Sequence, residues 1–381
     1  MTKSLYGREH LDFQDSVRAF VETEVAPNYA RYCTQRFIDR ETWLKAGSLG
    51  MLGLHVPDRF GGGEAGDWRF TAVLLRELAR FSAGFSSSFG IHADIVAPYL
   101  CDLTTDEQRA RWLPGFASGE LISAIGMTEP RGGSDLANLA TRAERTDAGW
   151  LLNGSKTFIT NGGRADLVVV AARTGDGRAS SSISMFVVEA GMAGFERGSV
   201  LDKIGQAESD TSELYFADVE VPEANLLGEV GRGFVYMMER LPQERLNCAV
   251  SNLANARGVL DETLVYARTR EAFGTPIGSF QHNRFLLAEL ATALDVADSF
   301  VEDCVVDHVA GELSPVKAAK AKWWTAQVQN DVLDACLQLH GGYGYMRESS
   351  VARHWMDGRV TKIWAGTNEI MKEIIGRDLG L

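Results

Sequence analysis

The sequence predicts an α+β protein, mostly α, in which one β segment is set between two helical ones. Three observations lead there. Apolar residues recur at helical spacing to about residue 121; between 122 and 231 the period shortens toward two and turn signals become frequent; from 232 to 381 long helical runs return with short links. The chain has 381 residues, 45% hydrophobic and 23% charged, enough for two or three domains and a sizeable buried core. The expected division is an N-terminal α-helical domain at 1–121, a middle β domain at 122–231 and a C-terminal α-helical bundle at 232–381.

In the first segment Leu11, Val17, Phe20 and Val21 mark one helix, and Trp43, Leu44, Leu49 and Leu52 a second. The glycines of Pro57–Gly63 interrupt the pattern. Helical spacing resumes with Phe70, Val73, Leu74 and Leu78, then from Phe89 through Leu100, and a short helix over Thr105–Trp112 opens on a threonine cap with acids behind it. In the second segment 167–172 and 183–188 are β-branched runs of buried-strand type, and 213–216 is a shorter one. Asp147-Ala148-Gly149 before Trp150 marks a hairpin; Asn153-Gly154 and Asn161-Gly162-Gly163 are further turn signals. The third segment predicts helices at about 233–268, 280–311, 315–340 and 368–377, joined by loops unusually rich in glycine and aromatic residues.

The net charge of -13 argues against nucleic acid or an anionic membrane surface as the main partner. Five scattered cysteines without CxxC spacing suit reduced thiols in a cytoplasmic protein, and support neither a disulfide framework nor a zinc site; no metal site is expected. No apolar run approaches the length of a membrane span, and the N-terminus has no apolar signal core.

Two polar loops could carry chemistry. Met127-Thr128-Glu129-Pro130-Arg131-Gly132-Gly133-Ser134-Asp135 can bring backbone NH groups and hydroxyls close to a planar heterocycle or a phosphate, since glycine permits close approach. On composition alone the plainer reading is a turn with capping side chains. Lys156–Gly162 places an aromatic and a hydroxyl on alternate positions, able to face one ring system or to form an ordinary hairpin end.

Taken with Lys203-Ile204-Gly205, Ser209-Asp210-Thr211, Arg270 with Phe273-Gly274 and Gln281, Gln338–Gly342 and Gly366-Thr367-Asn368-Glu369-Ile370, these loops make the chain resemble the acyl-CoA dehydrogenase family over nearly its full length, with the motifs in the same order. The resemblance implies a middle β-barrel or sandwich and a C-terminal four-helix bundle. It also implies noncovalent FAD and oxidation of an acyl-CoA to the trans-2-enoyl product. Carried over by position, Ile125, Met127, Thr128, Ser134, Phe158, Ile159 and Thr160 would line the flavin. Arg270, Phe273, Gln281, Gln338, Leu339, Gly341 and Gly342 would meet FAD across a subunit interface in a homotetramer, and Thr367 and Glu369 would meet the dinucleotide at a helix start. Ser134, Arg245 and Gly366 would touch substrate. Electron-transfer flavoprotein is the implied acceptor.

The reaction needs a base at the substrate α-carbon. Many family members carry a glutamate just before the Gly-Thr of the last loop, where this chain has Ala365. Leu241-Pro242-Gln243-Glu244-Arg245-Leu246 matches the long-chain branch, close to the isovaleryl branch, in which a bundle-helix glutamate serves. Glu244 is thus the expected base, and Ala365 would offer its backbone NH to the thioester oxygen. The plain alternative is an exposed Glu244 paired with Arg240 at i,i+4. Arg131 stands where the family often has glycine and would meet a phosphate or pantetheine carbonyl, or else an acid on the surface. Phe85–Ile91 resembles the helix that closes the acyl pocket; its small residues would leave room for a medium, long or branched chain, or simply allow close helix packing. Rival readings are a dehydrogenase of carrier-protein-bound acyl groups, a DNA-associated flavoprotein on the same scaffold, and a catalytically dead scaffold.

Overall fold

The computed structural model describes residues 5–381. From Arg8 to Ser118 the chain is helical: α1 (Arg8–Phe20), α2 (Tyr29–Gln35), α3 (Arg40–Ser48), α4 (Arg69–Phe81), α5 (Ala83–Gly90), α6 (Ala97–Asp102) and α7 (Asp106–Ser118). The wide turns Val21–Val25 and Ile91–Val96 prolong α1 and α5 as π-helix. Several expected edges move. Leu11, Leu44 and Leu49 are exposed, so the buried face of α1 is His10, Gln14, Val17 and Phe20 instead. Ser82 caps α5 by accepting from Phe85 N, so this helix begins six residues before Phe89. Thr105 and Gln108 close a capping box, and α7 continues through Pro114 to Ser118, longer than the segment expected to end at Trp112.

The strands are β1 (Ser123–Gly126), β2 (Arg142–Thr146), β3 (Gly149–Thr160), β4 (Leu167–Arg173), β5 (Ile183–Glu189), β6 (Phe195–Val200), β7 (Thr211–Pro222) and β8 (Leu226–Leu227), with the single turn α8 (Ala179–Ser182) before β5. They form one sheet in the order β6-β7-β3-β2-β4-β5-β8, with β1 parallel on β4. The β4 run shows why it is apolar throughout. Leu167, Val169 and Ala171 pack toward the helices α6 and α7, while Val168, Val170 and Ala172 pack on Trp150 and Phe186. The hairpin at 147–148 joins β2 and β3 as expected. Asn153-Gly154, expected as a turn, lies inside β3 at a bulge: Gly154 has φ 147°, and a Cβ there would meet Thr141 Oγ1 at 2.6 Å. β7 spans twelve residues rather than the four of 213–216, because Asp218 at φ 52° shifts the phase of its alternation.

The chain then returns to helix: α9 (Gly233–Thr269), the small hairpin β9 (Glu271–Ala272) and β10 (Thr275–Pro276), α10 (Gln281–Val309), α11 (Pro315–His340), α12 (Ser350–Gly358) and α13 (Asn368–Asp378). α12 has no counterpart among the expected helices. At 37 residues α9 is about 55 Å long. Its Leu246, Val250 and Leu253 share a core with Ala72 and Leu75 of α4, Leu294 and Val301 of α10, and Val328 and Val332 of α11. Among the described residues no helix is long and apolar enough to cross a membrane.

Candidate active site

A cavity of about 240 Å³ opens where the sheet, α5, α9 and the loop before α13 converge. Its sheet wall carries Ile125, Met127, Thr128, Phe158, Ile159 and Thr160; its helical wall carries Glu244; its roof is Trp364, Ala365 and Gly366.

The sheet wall is held from behind by a buried ion pair. Lys156 Nζ donates to Glu129 Oε1 at 2.7 Å, and both side chains are almost wholly out of solvent. Glu129 also accepts from Ala140 N at 2.5 Å and Thr141 N at 2.9 Å. Burial pushes Lys156 down to about 8 against the pull of Glu129, so both groups are charged near neutrality. Thr157 N donates to Thr128 O at 3.0 Å, which ties the two polar loops into one surface.

On that surface Phe158 adopts φ 58° at an irregularity of β3 and leaves its ring 67% exposed. A large aromatic in the left-handed region has a conformational cost, and here that conformation turns an apolar ring outward. The side-chain hydroxyls of Thr128 and Thr160 have no protein partner among the described residues. An aromatic face flanked by two free hydroxyls fits a planar heterocycle with polar edges, so the wall suits the isoalloxazine of FAD.

On the other side Glu244 is 8% exposed, and its Oε1 has no hydrogen-bond partner among the described residues. Burial raises its carboxyl to about 7, and nearby Asp94 adds to the rise against the opposing charges of Arg245 and Arg240. Arg240 does not pair with it. That guanidinium lies 3.3 Å from Asp102 and 3.9 Å from Glu239, and packs over the Tyr99 ring. Asp94 is fully buried and clamps the neighbours of Glu244: it accepts at 2.7 Å from Gln243 Nε2, Asn247 Nδ2 and Trp68 Nε1.

The roof is strained and braced. Ala365 has φ 51° and Gly366 φ 86°. The Gly366 carbonyl accepts from Lys322 Nζ at 2.6 Å, a buried lysine lowered to about 8 by desolvation. Thr367 caps α13 by accepting from Ile370 N at 3.2 Å.

The structure thus brings Ile125, Met127, Thr128, Phe158, Ile159, Thr160, Glu244, Ala365 and Gly366 to one cavity. Ser134, Arg245, Thr367 and Glu369 do not line it; Ser134 and Glu369 are exposed, and Arg245 is buried with its Nε unpartnered. Arg270, Phe273, Gln281, Gln338, Leu339, Gly341 and Gly342 gather elsewhere, around β9, β10 and the end of α11, where Phe273 is 97% exposed and Arg270 lies over the exposed ring of Tyr343. Arg131 is exposed and makes no ion pair among the described residues. Sequence reasoning missed the rest of the α9 face, Leu241, Asn247, Cys248, Ser251 and Asn252. Leu241 precedes Glu244 by three residues and the other four follow it at i+3, i+4, i+7 and i+8, the helical spacing that could have found them.

Comparison with known proteins fits this geometry. Residues 7–120, 124–219 and 231–380 match the acyl-CoA dehydrogenase N-terminal, middle and C-terminal domains in turn. The chain is 42% identical over 379 residues to the mitochondrial long-chain specific acyl-CoA dehydrogenase of Rattus norvegicus, covering 99% of this chain and 88% of the other. It is 34% identical over 377 residues to the mitochondrial isovaleryl-CoA dehydrogenase of Arabidopsis thaliana, covering 98% and 92%. The crystal structure of an acyl-CoA dehydrogenase from Geobacillus kaustophilus superimposes with a TM-score of 0.96 at 42% identity, over 99% of both chains. With all three domains matched in order and relatives aligned nearly end to end, the chain belongs to the acyl-CoA dehydrogenase family of FAD-dependent oxidoreductases.

Proposed function

We propose that Glu244 is the base that removes the α-proton of a medium-chain, long-chain or branched acyl-CoA. The observation that carries this is a buried carboxyl, raised to about 7 and without a partner on Oε1, facing the same cavity as Ala365 and the exposed Phe158 ring. A carboxylate of that kind is a stronger base than one in water. The Ala365 NH, aimed by its left-handed backbone and braced through Gly366 by Lys322, would donate to the thioester oxygen as negative charge builds there. Ser134, Arg245 and Gly366 would hold the thioester and its carrier. Arg131, exposed and unpaired, would meet a phosphate or carbonyl of the CoA.

Thr128, Ser134, Phe158 and Thr160 would hold FAD, joined by Thr367 and Glu369 at the start of α13. When bound, FAD supplies the acceptor for the β-hydride. The group Arg270, Phe273, Gln281, Gln338, Leu339, Gly341 and Gly342, exposed except for the half-buried Leu339 and set apart from this chain's own cavity, would complete the FAD site of a second copy in a homotetramer. The apolar exposure of Phe273 and Tyr343 supports that reading. The working division remains 1–121, 122–231 and 232–381. Five free cysteines, two of them buried, suit a reducing cytoplasm, and electron-transfer flavoprotein is the expected acceptor. The test is anaerobic flavin bleaching with acyl-CoA thioesters differing in length and branching. Bleaching by at least one series supports the proposal; none with any acyl-CoA, but bleaching with carrier-protein thioesters, replaces the substrate.

A further inference from the structure

The helical side of the cavity sets polar groups among Ile91, Ile95 and Leu241. Beyond Glu244 the cavity-lining face of α9 continues with Ser251 and Asn252, the latter eight residues on and therefore about 12 Å further along the axis. Ser87 of α5, Gln329 of α11 and Thr361 close the space around them. These groups lie away from the sheet wall, because their partners belong to the helices: Asn252 Nδ2 donates to Thr325 Oγ1 at 3.2 Å, and Gln329 Nε2 donates to Asn255 Oδ1 at 3.0 Å. A floor meant only for hydrocarbon would carry aliphatic side chains, since burying polar groups against an alkyl chain without partners is unfavourable.

Part of this polarity is consumed within the protein. Ser251 Oγ is 3.0 Å from Ser86 Oγ, and Gln329 Oε1 accepts from Thr361 Oγ1 at 2.9 Å. What remains is a matched set around the cavity. Asn252 Oδ1 is an acceptor and the Ser87 hydroxyl is both donor and acceptor, neither with a protein partner among the described residues. In the roof, Trp364 Nε1 is a buried donor with no partner among the described residues. Among the described residues no Lys, Arg or His lines the cavity, and Glu244 is the one acidic residue there. A terminal carboxylate would therefore find no counter-charge, whereas a neutral group that donates and accepts would satisfy the free atoms.

We propose that the floor formed by Ser87 and Asn252 selects acyl-CoA substrates whose chain carries a hydroxyl toward its far end. This rests on the reading of the cavity as the acyl site with Glu244 as base. The selectivity follows from pairing: a site with buried hydrogen-bonding groups penalises the analogue that lacks the complementary oxygen more than it penalises a small change of length.

The test compares acyl-CoA thioesters of equal length with and without a hydroxyl, the hydroxyl being moved along the distal half of the chain. Binding to the FAD-loaded Glu244→Gln protein gives Kd without turnover, and anaerobic bleaching of the wild-type holoenzyme gives kcat/KM. At least one hydroxylated isomer should bind roughly tenfold or more tightly than its unsubstituted partner, with kcat/KM moving in parallel. Asn252→Leu should bring the ratio near one by improving the unsubstituted chain, and Ser87→Ala should lower it part way. If plain chains bind and react as well as every hydroxylated isomer, the inference is wrong. Thioesters that bind but are never oxidised by wild type would instead overturn the catalytic reading, and the Kd ratio would still decide the floor.

Discussion

Replacing Glu244 by glutamine separates the cost of the catalytic group from its use. In the native protein the carboxyl lies at about 7 rather than its ordinary 4.5, mainly through burial. A displacement of that size corresponds to about 3 kcal/mol held against the ionised form. The native state therefore keeps a proton that the unfolded state has released, and this group's contribution to stability declines as pH rises from about 4.5 to about 7. Glutamine has the same shape and no charge to bury. Glu244→Gln should lose about 10²- to 10⁴-fold in kcat, as expected for removal of a general base. At pH 8 it should also be more stable than wild type, by up to about 3 kcal/mol. Wild-type kcat/KM should rise with pH and level off above about 7, the acid limb reporting Glu244. The assays are anaerobic bleaching across pH 5–9 and thermal unfolding of both proteins at pH 5 and pH 8. Bleaching by the variant at the wild-type rate refutes the assignment of the base. A variant less stable than wild type at pH 8 refutes the electrostatic account.

The remaining expectations concern what surrounds that carboxyl. Asp94→Asn removes a buried negative charge that raises Glu244 and accepts three hydrogen bonds; the acid limb should move to lower pH, and stability should fall by about 2–4 kcal/mol, read by thermal unfolding. Lys156→Met strands Glu129 in the interior and should cost about 3–5 kcal/mol by chemical denaturation. Phe158→Ala should weaken FAD retention about tenfold, measured by equilibrium dialysis of the flavin, in keeping with the loss of one aromatic packing contact.

The helix, strand and helix order, the 147–148 hairpin and the long bundle helices are all legible in the sequence, because each rests on a period sustained over many residues. The errors fall where a local distortion breaks that period. In β7 the buried positions run Leu214, Phe216, then Val219 and Val221, and the phase slip at Asp218 disguises one twelve-residue strand as a short one. In β3 the Asn153-Gly154 pair has turn chemistry but serves as a bulge against Thr141. The nine residues of α12 fall between loops whose glycines dominate the local signal.

Glu244 was readable chiefly through Ala365, since a missing carboxylate in one loop directs attention to another. The rest of its helical face was not. Periodicity reveals that Asn247, Ser251 and Asn252 point inward, and it is silent on whether they meet protein or open space. Nor does it foresee Asp94, whose partners Gln243 and Asn247 lie some 150 residues away in the chain.

The placement of Glu244 and Asn252 on one face of α9 makes that helix a ruler. On the proposed reading, the reactive end and the far end of the chain would both be measured from one rigid rod with a fixed rise of about 1.5 Å per residue. Changes in the surrounding loops cannot alter that interval. A substitution along the face can, and only in steps set by the helical repeat, so that lengthening or shortening the preferred substrate amounts to relocating a side chain by one turn of about 5.4 Å.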